Sequence, residues 1–147
     1  MSAYSFLNTS CKIVGPGIAA DLGAGAGDAD EGITLSPTTD KNVMQIGADG
    51  VGQHSLIADD SGQIKIRLLK TSPYNAALMI AYDLQSTSSN LWGINTITLS
   101  DPARGDFHVA QQVAFKKKPE ITQAKEAGFI EWELESIQVN SVLGGGI

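Results

Sequence analysis

The sequence predicts a mainly β protein with one α-helix, and three observations lead there. The stretch from Gly62 to Ser86 changes period in its middle. Sixteen glycines fall largely where turns are expected. No second segment repeats its apolar residues at helical spacing.

Ile64, Ile66 and Leu68 alternate with Lys65, Arg67 and Leu69, the period of two of a strand with one face on a core. Ser72 then offers a hydroxyl to the free amides of a helix start, and Pro73 suits the first helical position, where its missing donor costs nothing. Tyr74, Leu78 and Tyr82 follow at intervals of four, flanked by Ala77, Ala81 and Leu84, so one helical face is apolar. Ser86-Thr-Ser-Ser-Asn90 ends the helix, because its side chains compete for backbone hydrogen bonds.

Ahead of this unit, Cys11–Val14 reads as a short strand turned by Gly15-Pro-Gly17, with Ile18–Leu22 pairing back. Gly23-Ala-Gly-Ala-Gly27 reads as a flexible loop that opens the acidic Asp28-Ala-Asp-Glu31. Ile33 and Leu35 begin a further strand, which Pro37 confines to an edge or to its end. Asp40-Lys-Asn42 forms a turn and Val43–Ile46 resumes extended structure. Gly47-Ala-Asp-Gly50 and Asp59-Asp-Ser-Gly62 are turn signals that bracket a short segment around His54–Ile57.

After the helix, Ile97 and Leu99 alternate with Thr96 and Thr98, and Asp101-Pro-Ala-Arg-Gly105 has hairpin-turn composition. Phe107, Val109, Gln111, Val113 and Phe115 then share one face. Phe129–Val142 is the longest strand, with Ile130, Trp132 and Leu134 opposite Glu131, Glu133 and Glu135. Its apolar residues swap phase at Ile137 and Val139, and a bulge near Ser136 would restore one inner face. Unbroken, it would span about 45 Å, more than a domain of this size accommodates without a bend.

The 147 residues, 42% hydrophobic, suffice for one ordinary domain spanning 1–147. A net charge of −6 argues against tight sequence-independent nucleic-acid binding, which needs a basic surface. Cys11 is the only cysteine, which excludes an intrachain disulfide and a thiolate cluster built by one chain. The start lacks a signal-peptide pattern, and the longest apolar run, Ala76–Tyr82, is too short to span a bilayer. Folding in a cytoplasm, without membrane insertion, is the expectation.

The chemistry-bearing patterns are weak. Gly15-Pro-Gly-Ile-Ala-Ala20 matches a relaxed dinucleotide-binding pattern but lacks the helix that must follow. Asp28-Ala-Asp-Glu-Gly32 departs from a calcium loop, since its glycine is one position early and Thr39 stands where glutamate belongs. His54 and His108 are not at metal-ligand spacing. No Gly-x-Ser-x-Gly elbow places a nucleophile, and turn composition accounts for Arg104-Gly-Asp106. No enzyme, cofactor or metal is predicted. Two features stand out. Glu131, Glu133 and Glu135 suggest a sheet with one side in water or in an aqueous channel. Lys116, Lys117 and Lys118 form a basic patch suited to an acidic loop of a neighbouring subunit, with a solvated strand end as the alternative.

Several stretches, in order and spacing over nearly the whole chain, carry a resemblance. They include Ser2-Ala-Tyr-Ser-Phe6, Val14-Gly-Pro-Gly17, Ile46-Gly-Ala-Asp-Gly50, Arg67-Leu-Leu-Lys-Thr-Ser-Pro73, Ala114-Phe-Lys-Lys117, Pro119-Glu-Ile-Thr122 and Val142-Leu-Gly144. The chain resembles the tail tube proteins of contractile-tailed bacteriophages. The resemblance implies a β-sandwich or partly rolled barrel flanked by one helix, closing as six copies into rings that stack around a lumen. It implies a structural virion protein of the tail, assembled in the host cytoplasm, with sheath, tape measure and baseplate proteins as partners and DNA passing transiently. On that basis the Gly23–Glu31 and Pro37–Asn42 loops belong at subunit contacts, through Asp28, Asp30, Glu31, Thr38, Thr39, Asp40, Lys41 and Asn42. Acidic Glu131, Glu133 and Glu135 would face the lumen and repel phosphates. Alternatives are the tube of a phage-like secretion or killing particle, and a soluble β-rich module whose acidic loop holds a ligand.

Overall fold

In a computed structural model, residues 4–5, 9–22, 28–126 and 128–145 are described, the side chains of 28–31 excepted. The elements run β1 (Ser10–Gly15), β2 (Ile18–Asp21), β3 (Asp28–Pro37), β4 (Asn42–Ile46), β5 (Gly52–Leu56), β6 (Gly62–Leu69), α1 (Tyr74–Gln85), β7 (Asn95–Asp101), β8 (Asp106–Phe115) and β9 (Phe129–Val142). Seven strands form one antiparallel, unclosed sheet in the order β2-β1-β7-β8-β9-β6-β3, and β4 pairs only with β5. The expected mainly β architecture with one helix is what forms.

The period switch at Gly62–Ser86 is realised. Ile64, Ile66 and Leu68 of β6 are buried, and α1 follows. Ser72 accepts a hydrogen bond from the Tyr74 amide at 3.4 Å, but Pro73, expected at the first helical position, is itself the N-cap, so the helix start has no side-chain cap. Leu78 and Ala81 are buried on the inner face of the helix, and Tyr74, Met79 and Tyr82 pack beside them. Trp92, Tyr82, Phe115 and Trp132 form, in that order, a chain of ring contacts beneath, with neighbouring centroids 5.7–5.9 Å apart. The Trp132 indole N–H donates to Asn75 Oδ1 at 3.0 Å and ties β9 to α1. Leu84, expected on the apolar face, is instead 42% exposed. Gln85 takes the inward position, because intervals of four, three and four from Tyr74 lead through Leu78 and Ala81 to it. Its amide pairs reciprocally with that of Asn95 at 2.7 and 2.8 Å. The remaining capacity goes to the Pro16 and Val113 carbonyls. This buried pair is fully satisfied and locks helix to sheet.

Three expectations change. Asp28–Glu31 is not loop: β3 begins at Asp28, paired with Leu68, and its register shifts before Ile33. Gly32, at φ +58°, supplies the left-handed residue that this irregularity needs. The segment around His54, left unassigned by the sequence, forms β5 and pairs with β4. Residues Phe107–Phe115 do not keep one face: Ala110 is buried below Ile97, while Val113 and Phe115 are buried further on. The switch occurs at Gln112, whose φ is +53°. Finally, the phase swap of β9 is real and the inner face continues in part as expected: after Ser136 the contact with the β6 side slips by one residue and Val139 packs on the core, but Ile137 stays outside, 66% exposed. β8 and β9 keep their register on either side of the unpaired Gln112 and Ile137, so both change face at the same rung. Ser136 donates to the Gln111 or Gln138 carbonyl, at 2.7 and 2.8 Å, and stabilises the step. The flexible-loop expectation for Gly23–Gly27 lies outside the described residues.

Candidate assembly surface

The β4–β5 hairpin has no core of its own. Alternation along Asn42–Ile46 and Gly52–Leu56 resembles a half-buried sheet, yet all ten residues are exposed except half-buried Ser55. Met44, Ile46 and Leu56 share one face through their cross-strand register, and Val51 sits at the tip. They are 58, 61, 81 and 69% exposed. Water-facing apolar residues in such number on one projecting ribbon mark an interaction surface, and a lone two-stranded hairpin is marginal in water.

The tip is built by Gly47–Gly50, with Gly50 at φ +87° and the Val51 amide donating to Asp49 Oδ1 at 3.1 Å. Between the strands, Asn42 Nδ2 lies 3.1 Å from His54 Nδ1. The base is fixed by polar contacts. Lys41 Nζ meets Asp60 Oδ1 at 2.6 Å, and the Thr39 hydroxyl donates to Asp59 at 3.2 Å. The Ser61 amide donates to Asp59 at 2.8 Å. Hydrogen bonds from Ser61, first the side chain and then the amide, hold the Asp59 carboxyl below the usual carboxylate range. A cleft of about 640 Å³ opens beside this base, lined by Leu35, Pro37, Asp59, Leu99, His108 and Val139 among others.

Of the residues expected at contacts, the structure gathers Thr38, Thr39, Asp40, Lys41 and Asn42 at the hairpin base, all exposed. The side chains of Asp28, Asp30 and Glu31 lie outside the described residues. Lys116, Lys117 and Lys118 sit at the far end of β8. Lys117 Nζ lies 3.7 Å from Glu133 Oε2, Lys118 stands 5.9 Å from the Tyr82 ring centroid, and Lys116 is exposed. The sheet ends in two unlike open edges, short β2 and longer β3. Pro37 terminates β3, satisfying both alternatives foreseen for it.

Glu131, Glu133 and Glu135 do share the outer face of β9, but they are not a bare acidic row. Register sets Arg67 opposite Glu131, Lys65 opposite Glu133 and Gln63 opposite Glu135. Arg67 Nε lies 3.8 Å from Glu131 and its guanidinium 3.4 Å from the Phe129 ring centroid. Lys65 Nζ lies 4.0 Å from Glu133. Two of the three carboxylates therefore face cations. Sequence reasoning passed over Lys65 and Arg67 as polar alternates of β6; only pairing register reveals their partners.

Arg104 and Asp106 turn toward each other, with Nε 3.9 Å from Oδ2, and Asp106 also accepts from the Gly144 amide at 2.8 Å. The tripeptide is thus tied into its own turn. Among the described residues, no group of three His, Cys, Asp or Glu side chains could hold a metal ion.

A family model for the bacteriophage PhiTE tail tube protein matches residues 1–144. The chain belongs to this tail tube family. A search of curated protein sequences gives no match. Among solved structures, the tail tube chain is similar to a chain of the anti-feeding prophage cap, described as the AFP tube terminating cap. Their TM-score is 0.58 at 8% identity, over 98% of this chain and 93% of the other. It is also similar to a chain of the sheath-tube complex of an extracellular contractile injection system in its extended state. There the TM-score is 0.53 at 10% identity, over 92% and 88% of the two chains. A third, from the sheath/tube terminator of that system, gives 0.51 at 12% identity over 91% and 92%. At such identities these likenesses show the fold.

Proposed function

We propose that this tail tube protein is the subunit of the inner tube of a contractile tail, six copies closing into a ring and rings stacking into a conduit for DNA. The observation that carries the proposal is the β4–β5 hairpin, whose apolar side chains find no cover among the described residues. A neighbouring copy supplies that cover. Pairing the unlike edges β2 and β3 between copies extends the sheet around a ring and removes both edges from water. Head-to-tail contacts of this kind repeat into rings and filaments.

The residues at the hairpin base, Thr38–Asn42, and the opposite-end lysines Lys116–Lys118 then belong to contacts between copies, together with Asp28, Asp30 and Glu31. Sheath and baseplate proteins adjoin the tube and a tape measure protein sets its length. Subunits assemble in the host cytoplasm and end in the virion tail. The face of Glu131, Glu133 and Glu135 is assigned to the lumen. There, Lys65, Arg67 and Lys117 offset the carboxylates, so passing phosphates meet neither strong attraction nor strong repulsion. The work is mechanical, not catalytic.

A second reading has the same tube in a phage-like injection particle that carries no genome. The similarity to chains from such particles favours it, and DNA inside full particles excludes it. Negative-stain imaging of the purified protein over a concentration series, with light scattering, tests the common core of both readings. Rings or hollow tubes of uniform width are expected. A monomer at every concentration, unassembled even with baseplate or tape components, refutes the tube.

A further inference from the structure

At one end of the sheet, three side chains bury polar atoms that lack a hydrogen-bond partner among the described residues: both carboxylate oxygens of Asp101, the Thr9 hydroxyl and His108 Nδ1. All three line one cavity of about 170 Å³ beside the turn that closes β7 and β8. Asp101 is only 5% exposed, because it continues the inward face of β7 that Asn95 and Ile97 begin. Its cross-strand partner Asp106 faces Arg104 and the Gly144 amide instead. A carboxylate withdrawn from water without a donor is strongly disfavoured. The arrangement therefore asks for a cation.

The chemistry of the acceptors narrows which one. The described residues offer no trio of metal-ligating side chains. A carboxylate, a hydroxyl oxygen and an imidazole nitrogen around a small space instead match the three N–H donors of a primary ammonium. Within the subunit, the lysines at the Phe115 end of β8 stand a ten-residue strand away, about 30 Å at strand rise. Lys117 and Lys118 are engaged by Glu133 and Tyr82. Lys116 is exposed and has no partner among the described residues. We infer that the Asp101–Thr9–His108 cavity receives a lysine ammonium from a second copy of this chain, supplied by Lys116 of the next subunit in the stack. The inference rests on the stacked-ring reading, since stacking brings the two ends together.

Two arms test it. In the free subunit, n-butylammonium chloride is titrated while NMR follows the His108 side chain and the Thr9 amide. Saturable shifts are expected, absent with tetramethylammonium, which has no N–H, and absent in Asp101→Asn. A response to calcium chloride but none to n-butylammonium overturns the site. In assembling protein, Asp101→Asn and Lys116→Gln should each raise the lowest assembling concentration about tenfold or more. The double variant should rise no further than the single ones. Independent, multiplying effects overturn Lys116 as the donor, and unchanged assembly overturns both residues. The free Asp101→Asn subunit should melt at or above the wild-type temperature, because its amide buries no unpaired charge; a lower melting temperature overturns the inference. Absence of wild-type tubes would defeat the stack and Lys116 with it, whereas failure of n-butylammonium to bind defeats the cavity itself.

Discussion

Replacing Met44, Ile46 and Leu56 together by serine should separate folding from assembly. The three are 58, 61 and 81% exposed, which together amounts to about two whole side chains of uncovered surface. Fully burying an apolar side chain contributes about 1.5–3 kcal/mol, so covering this face against a neighbour contributes about 3–6 kcal/mol per copy. An interface that loses this much assembles only at concentrations about 100-fold higher or more. The free subunit should keep its stability within about 1 kcal/mol, since exposed substitutions away from special contacts change little. Chemical denaturation of the monomer reads the second quantity, and pelleting across a concentration series reads the first. A variant that assembles at the wild-type concentration would refute the hairpin as an interface. One that unfolds much more easily would show that the hairpin supports its own subunit.

Other expectations follow from single sites. Asn95→Ala leaves the buried Gln85 amide without its partner and should destabilise the subunit by about 1–3 kcal/mol in urea. Gln112→Gly relieves a side chain at φ +53° and should stabilise by up to about 1 kcal/mol, provided that the step in β8 persists. Asp59 has a folded-state pKa lowered from 3.8, so its stabilisation is present above that value and is lost as pH falls through the lowered one. Exchange of the Ser61 amide should thus accelerate only in that acid window, and Asp59→Asn should abolish the pH dependence. Reversing charge at Glu131, Glu133 and Glu135 together should impair DNA delivery or assembly; full function of that variant would remove this face from the lumen.

Much of the fold was legible because β6 and α1 carry two unlike periods separated by Ser72 and Pro73, a local signal that tertiary context did not override. The turns at Gly15–Gly17, Gly47–Gly50 and Asp101–Gly105 were legible for the same local reason. What escaped depends on distant pairing. Met44 and Ile46 alternate as core strands do, and nothing local says that their sheet has only two strands. Asp28–Glu31 is polar enough to pass for loop, although Gly32 lets it continue as strand. Val109, Val113 and Phe115 suggest one face until Gln112 turns the chain. Gln85 reads as surface by hydropathy, but its helical spacing could have exposed it. At the candidate site, Thr39, Lys41 and Asn42 were singled out from sequence, and they lie at the hairpin base. The cations opposite the glutamates and the cluster around Asp101 were not, since register alone brings those residues together.

The shared step at Gln112 and Ile137 constrains how the family can change length. Neighbours across a ladder must present their side chains to the same side. Deleting Gln112 alone would turn the Asp106–Gln111 half of β8 over while β9 stayed as it was, setting Ala110 and Val139 on opposite sides. Only a compensating loss at Ile137 would realign them. Insertions and deletions in these two strands should therefore occur in matched pairs among relatives, so that the two positions drift in length together although 25 residues of chain separate them.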